Sequence, residues 1–258
     1  MSIIRFILKE NTSNTNTFMS KQAIITGGSA GIGLETAKKF YINGFDVMLC
    51  ARNQENLDRA KHDIEQLSSK GQNPQKVRTI QADFLKKSDV DRFASEVLAS
   101  SGTIDVLVHN AGIFLPGDLV GEKNLQAMRD MMEVNFFSAY HLNQLLLPKM
   151  IEQGHGHIIL MSSIAGLAAY PAGSMYTISK FALTGFAKAL RLETQDKNIR
   201  VSAIYPGATW TRSWSESGLD EDRLMPAADI AQLVFECHNT SSRSVVEDII
   251  IRPQLGDI

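Results

Sequence analysis

From residue 21 onward, short apolar, β-branched runs alternate with amphipathic stretches, and the first turn between them is filled with glycine. Parallel strands cannot be joined by tight turns, so this alternation implies strands linked by crossover helices. Strands are expected over 22–25, 45–50, 77–82, 104–109, 157–161, 200–205 and 246–251. Helices are expected from the glycine turn to about Asn43, then over 54–70, 88–100, 125–153, 174–194 and 227–238. Gly44 is placed to end the first helix in a left-handed conformation, Ser88 to cap the third, and Pro148 to kink the long fourth. The expected fold class is α/β, a doubly wound, mostly parallel sheet in three αβα layers and one domain.

The 258 residues suit one large doubly wound domain. A net charge of −2 gives no electrostatic case for nucleic acid or for an anionic membrane surface. No apolar run approaches the roughly 20 residues that cross a bilayer. Small molecules, or copies of the chain itself, are the expected partners. Cys50 and Cys237 each sit in an apolar run, which points to buried free thiols and a reducing, cytoplasmic setting. Residues 1–18 carry a short apolar patch broken by Arg5, then a run of Asn, Thr and Ser. The patch is too short and too broken for a signal peptide. This segment is expected to be a loose arm or a start-site extension, with the catalytic domain over 19–258.

The glycine turn reads Thr26-Gly27-Gly28-Ser29-Ala30-Gly31-Ile32-Gly33. Glycines let the backbone turn sharply and approach a pyrophosphate with no Cβ in the way, and the following helix presents free N–H groups to it. Gly27, Ser29, Gly31, Ile32 and Gly33 are therefore candidate cofactor contacts. The second strand ends in Cys50-Ala51-Arg52-Asn53, where such folds meet the adenosine ribose. An acid there would bind a free 2′-hydroxyl; Arg52 instead suits a 2′-phosphate, which favours NADP(H). The alternative is an ordinary surface arginine. Ser29 and Ala30 add no second positive charge, so NAD(H) stays open beside NADP(H).

Tyr176 and Lys180 stand one helical turn apart on one face, a spacing that is usually structural when met alone. Ser163 alone reads as a turn residue after a strand. In combination with the glycine turn, the sequence resembles the single-domain branch of the short-chain dehydrogenase/reductase family. The resemblance runs from Lys21 to about Thr211. It rests on Thr26-Gly27…Gly31-Ile32-Gly33, Asn110-Ala111-Gly112, Asn135 in Val134-Asn135-Phe136, Ser163 thirteen positions before Tyr176, Pro206-Gly207, and Thr211.

The resemblance implies a Rossmann-type fold and an oxidoreductase that moves a hydride between NADP(H) and a carbonyl or secondary alcohol. It implies four catalytic residues, Asn135, Ser163, Tyr176 and Lys180. Tyr176 is the acid in reduction and the base in oxidation. Ser163 donates to the substrate oxygen, Lys180 holds the nicotinamide ribose, and Asn135 positions a water that links Lys180 to solvent. A free tyrosine has a pKa of about 10; Lys180 and an oxidised nicotinamide are expected to pull it down. By the same resemblance Asp83 and Phe84 flank the adenine, and Asn110, Ala111 and Gly112 line the cleft. Pro206 and Gly207 follow the sixth strand, and Thr209 and Thr211 approach the carboxamide. A homo-oligomer, dimer or tetramer, is implied as well.

Two positions depart from the family pattern. His109 replaces an asparagine and is expected to be a hydrogen-bonded structural residue. The C-terminus, Ile251-Arg252-Pro253, lacks the family's Asp-Gly-Gly turn. Between Thr211 and Pro226 the family carries a lid. Trp210 or Trp214 is expected to line the substrate pocket with Phe114, Ile164 and Leu167, the alternative being that one of them only anchors the loop. Arg212 and Arg223 are the cations available there to read a phosphate or carboxylate. Two other functions fit the fold: an NADP(H)-binding sensor or scaffold without turnover, and epimerisation or dehydration. All four catalytic positions are filled, and only a short segment follows the sixth strand, so neither is favoured.

Overall fold

A computed structural model describes residues 21–70, 75–100, 102–117, 119, 124–171, 173–211, 214 and 218–257. The expected arm over 1–18 and Arg212 lie outside them. Seven strands are β1 (Gln22–Thr26), β2 (Asp46–Ala51), β3 (Val77–Gln81), β4 (Val106–His109), β5 (Gly156–Met161), β6 (Ile199–Pro206) and, near the C-terminus, β9 (Asp248–Ile251). They form one sheet in the order β3-β2-β1-β4-β5-β6-β9, with every pair parallel.

Side chains that alternate along each strand go to opposite faces, and each face is covered by its own helices. Ala23, Ile25, Val47, Leu49, Val106 and Val108 pack beneath α1 (Gly31–Ile42), α2 (Gln54–Glu65) and α7 (Ala227–Asn239). Ile24, Met48, Leu107, Ile158, Leu160 and Val201 pack beneath α3 (Lys87–Ala99), α5 (Ser138–Gln153) and α6 (Ser174–Thr194). Burial on both faces is why these strands read as unbroken apolar runs. The three-layer, doubly wound architecture is as expected, and the sheet is parallel throughout.

Several local expectations need correction. α2 ends at Glu65 and not at Lys70, because the chain turns to serve the open carbonyls that end α1: Lys70 N–H donates to Ile42 O at 3.0 Å, and Ser69 Oγ to Tyr41 O at 2.9 Å. Ser88 lies inside α3, which starts at Lys87; the Asp89 carboxylate instead reaches back to the Asp83 N–H at 2.8 Å. The long fourth helix continues through Pro148 to Gln153, where Gly154 closes it with φ +73°. Its interruption comes earlier, as a π turn over Glu133–Phe137 between α4 (Asn124–Met132) and α5. Gly44, with φ +88°, ends the first helix as expected. A pair of two-residue strands, β7 (Thr209–Trp210) and β8 (Met225–Pro226), joins the two ends of the lid. Elements so short leave no periodic trace in a sequence.

Cys50 and Cys237 are buried free thiols. His109 is buried in the sheet, with the Asn143 side chain as its hydrogen-bonding neighbour. Desolvation holds His109 at about 4, and it also lowers His157 and His238, the latter to about 4. All three are therefore neutral in the fold. The unfolded chain takes up their protons as pH falls through about 6.5. Each then withdraws stability at roughly 1.4 kcal/mol per pH unit between its unfolded and folded pKa. The urea midpoint is expected to be steady near neutrality and to drop steeply from about pH 6.5 towards 4. A midpoint unchanged over that window would contradict buried neutral histidines.

Candidate active site

The strand order reverses direction between β1 and β4, so the helices leaving these two strands cover opposite faces and a crevice opens at their C-terminal ends. One threonine and one asparagine stitch it together. Thr26 Oγ1 donates to Val108 O at 3.3 Å and accepts the N–H groups of Asn110 and Ala111, each at 3.0 Å. Asn110 Nδ2 donates back to Thr26 O at 2.9 Å and Gly27 O at 3.1 Å. The side chain of Asn110 therefore shapes the glycine turn, a role its motif did not disclose.

The turn itself is a cradle. Gly27 and Gly31 adopt φ +65° and +54°, which side-chain-bearing residues rarely hold. A methyl on Gly33 would overlap the Gly27 carbonyl and the Asn110 amide. Ala30 occupies the N-cap of α1 and has no side chain to bond the first N–H groups. Ser29 and Ile32 lie half-buried along the same turn. Uncapped N–H groups at the positive end of a 12-residue helix, with glycine letting the backbone come close, fit a pyrophosphate.

The predicted adenosine contacts are met unevenly. Arg52 is exposed where β2 ends, its carbonyl held by Gln81 Nε2 at 2.9 Å. Asp83 is half-buried and accepts the Leu85 N–H at 3.2 Å. The ring of Phe84 is buried in the core against Phe93, 6.0 Å between centroids. With its ring in the core, Phe84 can meet an adenine only through its backbone. Ala111 and Gly112 follow Asn110 at the crevice, half-buried and exposed. Pro206 ends β6, and the Gly207 N–H is bonded to Ile251 O at 2.8 Å. Thr209 donates to the Gly207 carbonyl at 3.0 Å. Thr211 lies against the glycine turn, its Cγ2 3.0 Å from where a Cβ on Gly31 would be.

The structure brings Ser163, Tyr176, Lys180 and Asn135 to one place. Ser163 follows β5 and accepts the Ala165 N–H at 3.1 Å. Its hydroxyl also hydrogen-bonds Tyr176. Ser162, its neighbour, faces inward to Lys180 O and Thr184. Lys180 is 4% exposed, and its ammonium donates to Met161 O at 2.8 Å. Its nitrogen is 5.5 Å from the centre of the Tyr176 ring. Asn135 lies in the π turn, bonded in both directions to the Ile113 backbone.

Burial governs the ionisation here. Desolvation pushes Tyr176 above its ordinary value, with the Ser163 hydrogen bond pulling it back and Tyr170 adding to the rise. Lys180 exerts no resolved pull on the phenol, so the expectation of a lowered Tyr176 is not met in the chain alone. Desolvation lowers Lys180 to about 8. At neutral pH the phenol therefore carries its proton and the amine its charge.

Phe114 meets Tyr176 edge-on at 5.4 Å, and Ile164 and Leu167 follow Ser163 on the same loop. Tyr170, which the motifs did not single out, continues that loop with its ring folded over Gly173 at the start of α6. A Cβ on Gly173 would strike the ring, a signal that only coordinates reveal. Trp210 lines a cavity of about 480 Å³ with Gly31, Glu35, Thr211 and Glu221, on the glycine-turn side and away from Phe114. Trp214 sits in a turn, its N–H on Thr211 O at 2.9 Å. Trp210 therefore faces the glycine-turn side, where Phe114, Ile164 and Leu167 are not among the lining residues. Arg223 donates to the carbonyls of Gly256 and Asp257, so it holds the C-terminal segment.

Comparison with known proteins agrees with this geometry. The short chain dehydrogenase family profile matches residues 21–222. A mouse protein, dehydrogenase/reductase SDR family member 7B, is 33% identical over 86% of this chain and 72% of its own length. Sepiapterin reductase of Chlorobaculum tepidum is 31% identical over 91% of this chain and 97% of its own. Among solved structures, a metagenomic short-chain oxidoreductase in complex with NADP is 29% identical, with a TM-score of 0.78 over 91% of this chain and 97% of that one.

Gly33→Ala is expected to force the helix away from the strand, lowering Tm by about 2–10 °C. It should also weaken NADPH binding by about tenfold or more, read by fluorescence titration. Parent-like affinity in a folded variant would place the pyrophosphate elsewhere.

Proposed function

The chain belongs to the short-chain dehydrogenase/reductase family, and from that premise we propose that it reduces a carbonyl compound to a secondary alcohol with NADPH, using Tyr176 as the proton donor. What carries this is the half-buried, protonated phenol of Tyr176, bonded to Ser163 beside the buried ammonium of Lys180. When bound, the nicotinamide supplies the hydride. Ser163 orients the carbonyl oxygen and donates a hydrogen bond to it. Tyr176 passes its proton to that oxygen as negative charge builds there. A phenol kept neutral by desolvation suits reduction; oxidation would need it ionised first. Lys180, with two donors left beyond the bond to Met161, holds the ribose and resupplies the proton, and a water near Asn135 links it to solvent.

The exposed Arg52 at the end of β2 supports a 2′-phosphate and hence NADP(H), and the similar metagenomic oxidoreductase binds NADP. Glycines 27, 31 and 33, with Ser29 and Ile32, hold the pyrophosphate. Asp83 and the Phe84 backbone face the adenine, and Asn110, Ala111, Gly112, Pro206, Gly207, Thr209 and Thr211 complete the cofactor walls. Phe114, Ile164 and Leu167 suit an apolar body on the substrate. The two free thiols support a cytoplasmic setting. No helix among the described residues is long and apolar enough to cross a membrane. Phe137 at the end of the π turn and Tyr140 on α5, with Ile178, Phe181 and Leu192 on α6, are exposed apolar side chains that support a homo-oligomer.

Tyr176→Phe is expected to cut NADPH-dependent turnover by at least about 100-fold on a panel of ketones, with NADPH affinity kept within about threefold. Parent-like turnover would remove Tyr176 as the acid. Arg52→Ala should raise the KM for NADPH about tenfold and leave that for NADH nearly unchanged. The rate of reduction should also fall as pH rises through about 8, where Lys180 loses its charge. A rate flat from pH 7 to 9, on about that scale, would show that Lys180 does not supply the proton.

A further inference from the structure

Ser179 lies in α6 between Tyr176 and Lys180, wholly buried, and no step above uses it. Its hydroxyl donates to the Tyr176 carbonyl at 2.7 Å and meets Asn135 Nδ2 at 2.9 Å. A hydroxyl has one proton to give. That proton goes to the carbonyl, so the oxygen accepts from Asn135. The asparagine gives its other amide proton to Ile113 O at 2.9 Å and accepts the Ile113 N–H at 2.7 Å. Turning the amide over would face donor with donor at Ile113 N and oxygen with oxygen at Ile113 O and Ser179. The amide has one orientation, and Ser179 is part of what fixes it.

This network ties three separate segments: the exit of β4, the π turn, and the turn of α6 that carries the phenol and the ammonium. Gly112 stands between the last two. A methyl on it would lie 3.3 Å from Asn135 Oδ1 and 3.6 Å from Lys180 Nζ. Two residues further on, Phe114 presses edge-on against Tyr176 at 5.4 Å. Without the Ser179 oxygen, a buried amide proton loses its acceptor and Asn135 keeps only its two bonds to Ile113, losing its tie to α6, while the backbone ladder of α6 is untouched. The disturbance therefore lands on the space between Asn135, Gly112 and Lys180.

We infer that Ser179 is a positioning residue for proton delivery, holding Asn135 so that Lys180 and Tyr176 keep the separation their proton exchange needs. The inference deepens the Tyr176 assignment and rests on it. Tyr170 and the Ser163 hydroxyl act on the phenol, and the Lys180 nitrogen faces its ring at 5.5 Å; no carboxylate among the described residues acts on it.

The first readout needs no substrate. The NADP⁺-bound protein is titrated with alkali, and tyrosinate is followed by ultraviolet absorbance, with Tyr176→Phe as baseline to isolate the Tyr176 step. Ser179→Ala should move that step upward by about one pH unit. It should also lower kcat by about tenfold with any ketone the parent reduces, at unchanged KM for NADPH. Ser179→Thr, which keeps the hydroxyl, should restore both. A step in Ser179→Ala that coincides with the parent's overturns the inference, and so does a fall in Tm and kcat without movement of the step, or failure of folded Ser179→Thr to restore it. If the parent shows no step beyond the Tyr176→Phe baseline, the Tyr176 assignment itself fails, and the inference falls with it.

Discussion

The hydrogen bonds between Thr26 and Asn110 are the constraint on which the site depends. In a doubly wound sheet the chain must leave neighbouring strands in opposite directions, and the ends of β1 and β4 would otherwise diverge with open backbone groups. One hydroxyl and one amide satisfy those groups and hold the two exits at a fixed spacing. The glycine turn can then bend over that amide, since neither Gly27 nor Gly33 has a side chain in the way. The cradle and the floor of the reactive cleft are set by one cluster.

Across the crevice, desolvation decides the charges. A lysine one turn from a tyrosine suggests mutual assistance, yet the ammonium is turned to the Met161 carbonyl and the phenol to Ser163. Burial then raises one group and lowers the other, each towards its neutral form. The phenol stays protonated and the amine titrates near the physiological range. A site of this kind is ready to give a proton.

Above the crevice, the lid has two fixed ends in β7 and β8, while Arg223 holds the C-terminal segment with help from an ion pair between Arg252 and Asp257. Asp257 Oδ1 comes within 3.2 Å of where a Cβ on Gly207 would stand. The end of the chain thus packs on the turn after β6, next to the lid. Arg223 looked available for a substrate anion because a sequence shows charge without showing which carbonyls claim it.

Much of this was legible in the residues. Unbroken apolar runs at regular intervals dictate a sheet buried on both faces, and helix bounds such as Ser174–Thr194 follow from periodicity. Glycine where φ must be positive, and Tyr176 and Lys180 on one face of a helix, are local facts that a linear pattern encodes. The rest depends on groups distant in sequence. The π turn at Asn135 is held by Ile113, 22 positions away, and by Ser179, 44 positions away. Phe84 faced the core, and Trp210 the glycine turn, because of neighbours that only the folded chain supplies. The sequence alone determined which chemical groups are present and the period at which they recur. Tertiary structure alone decided which were desolvated and which atoms took their protons, because both depend on contacts made across the sheet.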